Sequence, residues 1–382
     1  FLEAFESSRV VTKTVNTQLL SGKFNPSTGT KVDFKRPHDY NTIRTSGGDI
    51  SGSAKSDIIA GKATGTVQPF FTAATEYENI QEALELDQLD QILEPMARRL
   101  VTDLELDLAK FMRINTGLNY GARGTAVDAW SDVAGAGAMM DSVGVPMSDN
   151  KYYLMNPFTT TSLASAQSGL NAADGLVRTA FEKAQIASNF GGMKALTSNA
   201  LSSYTSGSTT DRLGDLKTAP DATYVTAKDT MQQTMVIETL GTGTIEAGDQ
   251  IQVAGVNRLN IATRQLILDT TGAAVPWTGT VLSVVTIAGN EATVVVSGAA
   301  IYEANGQYNN VDAAPAAGAV VTILGAAATV YQPNLFYTEQ AFGLGTVKLP
   351  KLYSTDTVAT TSDGMSIRVS KYSDGDANTQ KI

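Results

Sequence analysis

The stretch LDQILEPMARRLVTDLELDLAKFM, residues 89–112, carries the strongest helical signal in the chain. Apolar residues recur in it at the three- and four-residue spacing that places side chains on one face of an α-helix. The shared face comprises Met96, Leu100, Val101, Leu104, Leu108, Phe111 and Met112. Pro95 either occupies the first turn of a new helix or kinks a longer one. A helix from Met96 to the stop signal at Asn115-Thr116-Gly117 would be about 30 Å long, which favours a structural spine.

The segments before this helix predict an arm and a long loop. Residues 1–20 favour a short helix followed by an extended arm, with turns at Gly22, Pro26 and Gly29. Residues 37–78 include SGGDISGSAKSDIIAGKATGTV, which is rich in Gly and Ser and predicts a long, flexible two-stranded loop. Loops of this length are uncommon within a compact domain. We therefore expect this loop to reach outward to a partner.

Residues 125–218 alternate between helical and strand patterns. The patterns predict helices at 128–143, 159–167 and 175–187, and strands at 152–155 and 192–196. This alternation is typical of a mixed α/β domain.

The composition changes at about residue 220. Residues 221–333 consist largely of Thr, Val, Ile, Ala, Gly and Asp in short alternating runs, which predict strands at 234–238, 250–254, 281–287 and 291–297. Gly289-Asn290 is a typical hairpin turn. Several short strands at regular spacing indicate a small β-barrel or sandwich inserted in the α/β protein. A mixed pattern returns at 331–352, followed by a strand at 366–372 and a turn at 373–376.

Charge and cysteine content exclude several functions. The net charge is −10, whereas nucleic-acid binding needs concentrated basic residues. The small basic cluster Lys31, Lys35 and Arg36 is interleaved with Asp33 and Asp39, which predicts a solvated strand. The chain has no cysteine, which excludes disulfides, thiolate catalysis and cysteine zinc sites and fits assembly in a reducing cytoplasm. The apolar runs are shorter than the ~20 residues of a membrane helix, so we expect no membrane partner.

The helix of residues 89–112 and the single histidine give no catalytic pattern. Its carboxylates stand three or four residues from basic partners, as Glu94 does from Arg98, which is typical of solvated helix pairs rather than of glycosidase carboxylates. His38 is the only histidine, so no triad with a second histidine and no two-histidine metal site can form. We expect His38 in a strand, with a structural or surface role.

Other candidate motifs are also incomplete. The glycines near Gly135 and Gly241 lack the residues that complete nucleotide-binding motifs. The aspartates of the β-rich region fit no calcium loop and are read as turn residues; they are Asp229, Asp249 and Asp269. We therefore predict no catalytic residue, no cofactor and no metal.

Six segments, in order, resemble the coat proteins of short-tailed bacteriophages, in the subgroup with an inserted domain. They are DFKRPHDYNTIRTSGGDISG, the helical stretch quoted above, NFGGMKALTSNAL, AGDQIQVAGV, NLFY and FGLG. The likeness covers nearly the whole chain. It implies an α+β protein with the tailed-phage major capsid fold, which herpesvirus capsids share, and an inserted small antiparallel β-barrel.

The resemblance also implies a division of the chain. Its parts are an N-terminal arm (1–36), an extended loop (37–78), a peripheral domain with the spine helix (79–120), an axial domain (121–220), the inserted β-barrel (221–333), a return to the axial domain (334–360) and a peripheral strand (361–382). The inserted domain is expected to stabilise the fold of the subunit and to contact neighbouring capsomers through a loop.

The function implied by the resemblance is that of a major capsid protein, not an enzyme. It would self-assemble as hexamers and pentamers, with a scaffolding protein and a portal protein, into an icosahedral virion shell around double-stranded DNA that it does not bind sequence-specifically. Assembly would take place in the host cytoplasm. In such shells the extended loop lies on a neighbour's spine and arm. We therefore predict intersubunit contacts at Arg44, Asp49, Lys55, Lys62 and Trp277; for Trp277 the alternative is that it fills the barrel core.

Other functions remain as alternatives. A tail or surface-layer protein would also favour Thr, Gly and short strands, but the long spine helix and the lack of repeats argue against it. A carbohydrate hydrolase with a β module would need an acid/base pair, and a small-ligand binding protein would need a motif. Neither feature is found in the sequence.

Overall fold

The computed structural model describes residues 2–17, 31–78, 89–168, 183, 186–346, 349–353, 355–362, 364–374, 376 and 379–382. Within them the helices are α1 (Leu2–Ser8), α2 (Leu89–Ile114), α3 (Trp130–Val143), α4 (Pro157–Ser168) and α5 (Tyr224–Ala227). Short 3-10 turns lie at Val11–Lys13 and Glu339–Ala341. Of the helix predicted at 175–187, only residues 183, 186 and 187 lie within the described residues.

The strands of the described residues are, in chain order, β1 (Lys31–Lys35), β2 (Lys62–Thr66), β3 (Glu76–Glu78), β4 (Lys151–Met155), β5 (Asn189–Phe190), β6 (Met193–Thr197), β7 (Tyr204–Thr205), β8 (Leu213–Leu216), β9 (Gln232–Glu238), β10 (Thr244–Ile245), β11 (Gln250–Asn257), β12 (Pro276–Val281), β13 (Val285–Thr286), β14 (Ala292–Ser297), β15 (Val320–Ile323), β16 (Val330–Tyr331), β17 (Leu335–Thr338), β18 (Thr357–Thr360), β19 (Ser366–Val369), β20 (Tyr372–Asp374) and β21 (Thr379–Lys381).

The predicted spine is α2, which starts earlier than Met96 and contains Pro95 in its interior. Its buried apolar residues are Ala97, Val101, Leu108, Ala109 and Met112. Phe111, expected on the same face, is 55% exposed and meets Phe342 edge-on, because at 100° per residue it falls at the border of the face that these residues form. Two of the predicted helix pairs are confirmed as exposed ion pairs, Arg98–Glu94 and Arg99–Asp103.

A four-stranded sheet, ordered β17–β4–β6–β5, joins the spine to the rest of the chain. Its strand β4 runs parallel to β6 and antiparallel to β17. Side chains alternate across a strand, so Tyr152 and Leu154 pack in the cluster that contains the spine residues Leu108 and Met112. On the other face, Tyr153 and Met155 pack with the residues of α3 and α4. The sheet is therefore buried on both faces around β4.

The β-rich region forms a closed barrel with the strand order β11–β12–β14–β9–β8–β15. Alternate residues of each strand fill its interior, for example Met235 and Ile237 of β9. In the turn before β14, Gly289 and Asn290 have φ angles of 62° and 65°, which confirms the hairpin turn predicted from this pair. The barrel also takes a strand from upstream of residue 221, since β8 pairs with both β9 and β15.

A cluster of Arg and Tyr side chains fixes one side of the barrel to the rest of the chain. The Arg123 guanidinium lies 5.5 Å from the ring centre of Tyr204 and 5.9 Å from that of Tyr331. Its Nη1 faces the Oδ1 of Asp249 at 3.9 Å, and the Asp249 side chain is fully buried. Burial lowers the pKa of Arg123 to about 10, so the guanidinium is charged at neutral pH.

Hydrogen bonds hold the barrel at two further places. The Gly117 carbonyl, just beyond α2, accepts hydrogen bonds from Thr278 Oγ1 at 2.6 Å and from the Arg258 guanidinium. At the end of α3, the Asn260 amide donates to the Ser142 carbonyl at 2.8 Å. Together with the Arg123 cluster, these contacts hold the barrel from three separate segments.

An antiparallel ribbon of β1 and β2 carries the long loop of residues 36–61. Lys31 and Lys35 of the predicted basic cluster lie on this exposed ribbon, as expected for a solvated strand, whereas Arg36 is half-buried just beyond the end of β1. His38 was predicted in a strand, and this is wrong: the ladder ends at Lys35 and Lys62, one further backbone hydrogen bond joins Arg36 to Gly61, and His38 is exposed beyond it. In the described part of the chain, no helix combines the length and the apolar character that a bilayer crossing requires.

Candidate assembly surface

Three of the predicted contact residues belong to the exposed loop between β1 and β2. Arg44, Asp49 and Lys55 are all exposed. Asp49 accepts a hydrogen bond from the Ser51 N–H at 2.9 Å, and this bond holds the pKa of the carboxyl below its usual value. The backbone around these residues is in open space, because a Cβ added at Gly47, Gly48 or Gly52 would have no atom within 4 Å. The loop tip therefore stands clear of the subunit.

Lys62 lies apart from these three residues, at the base of the loop. Its Nζ forms an ion pair with Asp33 Oδ2 at 2.9 Å, and both side chains are about half exposed. The hydrogen bond from Lys62 to Asp33 raises the pKa of the Lys62 ammonium. This pair joins β1 to β2, so within the chain the lysine helps to hold the ribbon together.

Trp277 does not lie on the surface. It is fully buried in the barrel core, where its Nε1 donates to the Gly298 carbonyl at 2.9 Å. The prediction that Trp277 is an exposed contact residue is therefore wrong, and the alternative, that it fills the barrel core, agrees with the structure. The physical reason is that β12 is buried on both faces, since its outer face is covered by the segment around Gly117.

Large apolar side chains on the loop and after β2 are also exposed, although they were not predicted from the sequence as contact residues. They are Tyr40, Ile43, Ile50, Ile58, Val67, Phe70 and Phe71. Ile58 is 76% exposed and Phe70 is 73% exposed. Concentrations of exposed apolar side chains on a monomer mark interaction sites. Their signal in the sequence was the presence of Ile and Phe in a segment otherwise rich in Gly, Ser and Thr.

The N-terminal segment packs on the spine helix of its own chain. Phe5 of α1 is buried against Ala97 and Val101. Glu105, which is 5% exposed, accepts hydrogen bonds from the N–H groups of Val10 and Thr12. Burial raises the pKa of the Glu105 carboxyl. One face of the spine is thus occupied within the subunit.

The aspartates of the β-rich region have separate structural roles. Asp269 accepts the N–H groups of Thr271 and Ala273, which confirms its prediction as a turn residue. Asp249 accepts the Gly207 N–H at 2.9 Å, and Asp229 accepts the Lys62 N–H at 3.2 Å. Among the described residues, no three His, Asp or Glu side chains come together as metal ligands.

Comparisons with known proteins match the whole chain. Residues 1–382 match the family described as P22 coat protein, gene protein 5. The major capsid protein of Acyrthosiphon pisum secondary endosymbiont phage 1 is 46% identical over 387 residues, which cover 100% of this chain and 91% of that protein.

Two solved structures show weaker likeness. One from Mycobacterium phage Che8 has a TM-score of 0.36 at 14% identity, and covers 74% of this chain and 86% of its own. The capsid of cyanophage P-SCSP1u has a TM-score of 0.34 at 17% identity, and covers 71% of this chain and 80% of its own. The assignment of the chain to a family therefore rests on the sequence matches and not on these two structures.

A match of this identity over the full length defines the class: the chain is a phage major capsid protein, a building unit of the capsid shell and thus a component of the virion. It belongs to the P22 coat protein family. The resemblance inferred from the six sequence segments is confirmed, and the alternative of a tail or surface-layer protein is set aside. The family is one of structural capsid proteins.

Proposed function

We propose that subunits join through the tip of the extended loop, residues 42–56, which lies on the spine helix and N-terminal segment of a neighbouring copy. The main observation in support of this proposal is that most side chains of the tip are exposed to solvent. The tip presents the charges of Arg44, Asp49 and Lys55 beside the apolar side chains of Ile43 and Ile50, and all five are exposed. Charged and apolar groups at one protruding tip suit an interface with a second copy.

The face of α2 that its own chain leaves uncovered is the receiving surface. Leu106 on this face is 40% exposed, and Asp107 next to it is exposed. Glu105, by contrast, is buried beneath the N-terminal segment. An incoming loop with an isoleucine and a basic side chain would find an apolar and an acidic partner here. Burial spread over many such copies gives a stable shell without any strong single contact.

The shell that we propose is icosahedral, with the subunit arranged in hexamers and pentamers. It assembles with a scaffolding protein and a portal protein in the host cytoplasm and encloses double-stranded DNA. The net charge of −10 supports weak contact with the genome, because tight binding to phosphates needs concentrated basic residues. The role of the chain is structural rather than catalytic.

We also propose the division of the chain that the resemblance implied: arm 1–36, loop 37–78, peripheral domain 79–120 and 361–382, and axial domain 121–220 and 334–360. The barrel core supports an inserted domain at 221–333. Pairing of β8 with β9 and β15 supports extending that domain upstream to Leu213.

The test replaces residues 44–55 with a short Gly-Ser linker and leaves both ribbon strands intact. The variant is co-expressed with a scaffolding protein and examined by electron microscopy. We expect a folded subunit, by circular dichroism, that forms no closed shells. Closed shells of normal size and yield would refute the proposed role of the tip. The double variant Lys217→Ala, Glu291→Ala, which removes an exposed ion pair of the barrel, is the control and should assemble normally.

A further inference from the structure

The base of the extended loop is held by the barrel of the same chain. Both limbs of the loop, 39–41 and 57–62, contact three connections of the barrel, which lie at 224–231, 260–264 and 305–309. Within the described parts of the chain, the tip between the limbs makes no such hydrogen bond to the barrel: the hydrogen bonds of residues 49–53 are local. The loop therefore consists of a held base and a free tip.

Arg264 holds the first limb. Its guanidinium donates to the carbonyl oxygens of Gln307 and Asn309, and so the barrel orients it independently of the loop. The carboxylate of Asp39 forms an ion pair with this guanidinium. Two residues further along, the Asn41 amide donates to the Asn305 carbonyl at 2.8 Å. A cation already fixed by two carbonyls loses little freedom when it binds the loop, which makes the contact effective.

The second limb is held by packing and by hydrogen bonds. Ile59 packs against the buried cluster around Tyr224 and Ile301. The buried side chain of Gln307 donates to the Asp57 carbonyl at 2.6 Å. Gly61 makes a close approach, because a Cβ there would lie 2.9 Å from both the Lys228 carbonyl oxygen and the Tyr224 hydroxyl.

We propose that the inserted barrel acts as a clasp on the extended loop of its own chain, with Arg264 as its positioning residue. The clasp, defined by the contacts of Asp39, Asn41, Asp57, Ile59 and Gly61, sets the direction in which the tip leaves the subunit. Ordering a flexible loop costs free energy when two subunits associate. Because the base of the loop is already held, only the tip has to be ordered, and this favours assembly. The assembly role rests on the proposed function of the tip, whereas the clasp itself is a property of the isolated subunit.

Amide hydrogen exchange of the full-length, unassembled subunit tests the clasp directly. Asp39→Lys places two cations together at Arg264, and Gly61→Val drives a side chain into the Lys228 carbonyl. We expect each variant to raise exchange at 38–41 and 57–62 at least tenfold, with the barrel strands unchanged. Asp39→Glu should keep the exchange of the wild type. Asp49→Lys, the same charge change at the free tip, is the matched control and should leave the base unchanged.

Each outcome is decisive. Unchanged exchange at the base in both Asp39→Lys and Gly61→Val overturns the clasp. Raised exchange together with a normal yield of closed shells overturns its role in aiming the tip and leaves the tip contact standing. For Asp39→Lys and Gly61→Val we expect raised exchange at the base and at least a fivefold lower yield of closed shells. For Asp39→Glu we expect the exchange and the shell yield of the wild type. Normal assembly of the linker variant at 44–55 would instead refute the tip contact, without bearing on the exchange result.

Discussion

Glu105 of the spine helix accepts a hydrogen bond from the backbone N–H of Val10, 95 residues away in the chain. The same carboxylate accepts the N–H of Thr12 at 3.4 Å. These two donors lie at the start of the 3-10 turn Val11–Lys13, where the first backbone N–H groups have no partner within the turn, so a single side chain of the spine supplies the acceptor.

Glu105→Ala should therefore release the N-terminal segment. The substitution leaves two donors without their acceptor beneath a packed segment, and each buried unsatisfied group costs about 1–3 kcal/mol. We expect a lower free energy of unfolding in urea and faster proteolysis within residues 2–17. Glu94→Ala, which breaks an exposed pair, should change stability by less than about 1 kcal/mol. Equal effects of the two substitutions would contradict the anchoring role of Glu105.

The raised pKa of Glu105 predicts a pH dependence. Burial penalises the charged carboxylate of the folded state, so the folded pKa lies above the ordinary value of 4.5. The contribution to stability is fully present below pH 4.5 and is lost as the pH rises through the raised folded pKa. Glu105→Gln keeps an acceptor and cannot titrate. The difference in unfolding free energy between the wild type and Glu105→Gln should therefore change across this window, and a constant difference would count against the assignment.

Asp249→Ala tests the attachment of the barrel. It removes the carboxylate that faces Arg123 and also the acceptor of the Gly207 N–H. Breaking a buried pair by removing one partner costs about 3–5 kcal/mol. Glu291→Ala breaks the exposed pair with Lys217 and should cost less than about 1 kcal/mol. Thermal and urea unfolding of the two variants gives the comparison, and a mild effect of Asp249→Ala would show that the pair is dispensable.

Trp277→Ala should open a cavity in the barrel core and cost about 3–5 kcal/mol. The chain has two tryptophans, and Trp130 is 60% exposed. In a Trp130→Phe background, Trp277 alone reports on the barrel by its fluorescence, which should be blue-shifted in the folded state. A red-shifted native spectrum would show that Trp277 is solvated and would contradict the core assignment.

Local patterns in the sequence predicted much of the fold. The 3.6-residue period of 89–112 is strong enough to identify a helix without tertiary information, and the alternation in β9 and β14 identified barrel strands. The predicted strand at 281–287 is in fact split between β12 and β13, because β12 leaves the barrel sheet after Val281. β8 was missed, since Leu-Gly-Asp-Leu is too short to show a period.

Long-range pairing could not be predicted in the same way. Arg264 and Asp39 lie 225 residues apart, and nothing in the sequence near Asp39 distinguishes it from a solvated carboxylate. The loop was predicted as long, flexible and two-stranded, and the structure has a long loop between two paired strands, but its Gly- and Ser-rich composition does not indicate that its base is held. Trp277 was ambiguous because alternation identifies a buried residue only where one face of a strand is solvated.

The segments that lead into and out of the barrel, β7 and β16, form an antiparallel pair in which Tyr204 lies opposite Tyr331. The ends of the inserted segment are thus neighbours, and the host fold needs only a tight link where the whole barrel now stands. Recombination could add or remove such a segment in one event without changing where the host chain enters and leaves this point of the fold. Gain of the barrel and gain of its hold on the extended loop are thus separable changes, the first needing only this one junction and the second the contacts of Asp39 and Asp57 with the barrel.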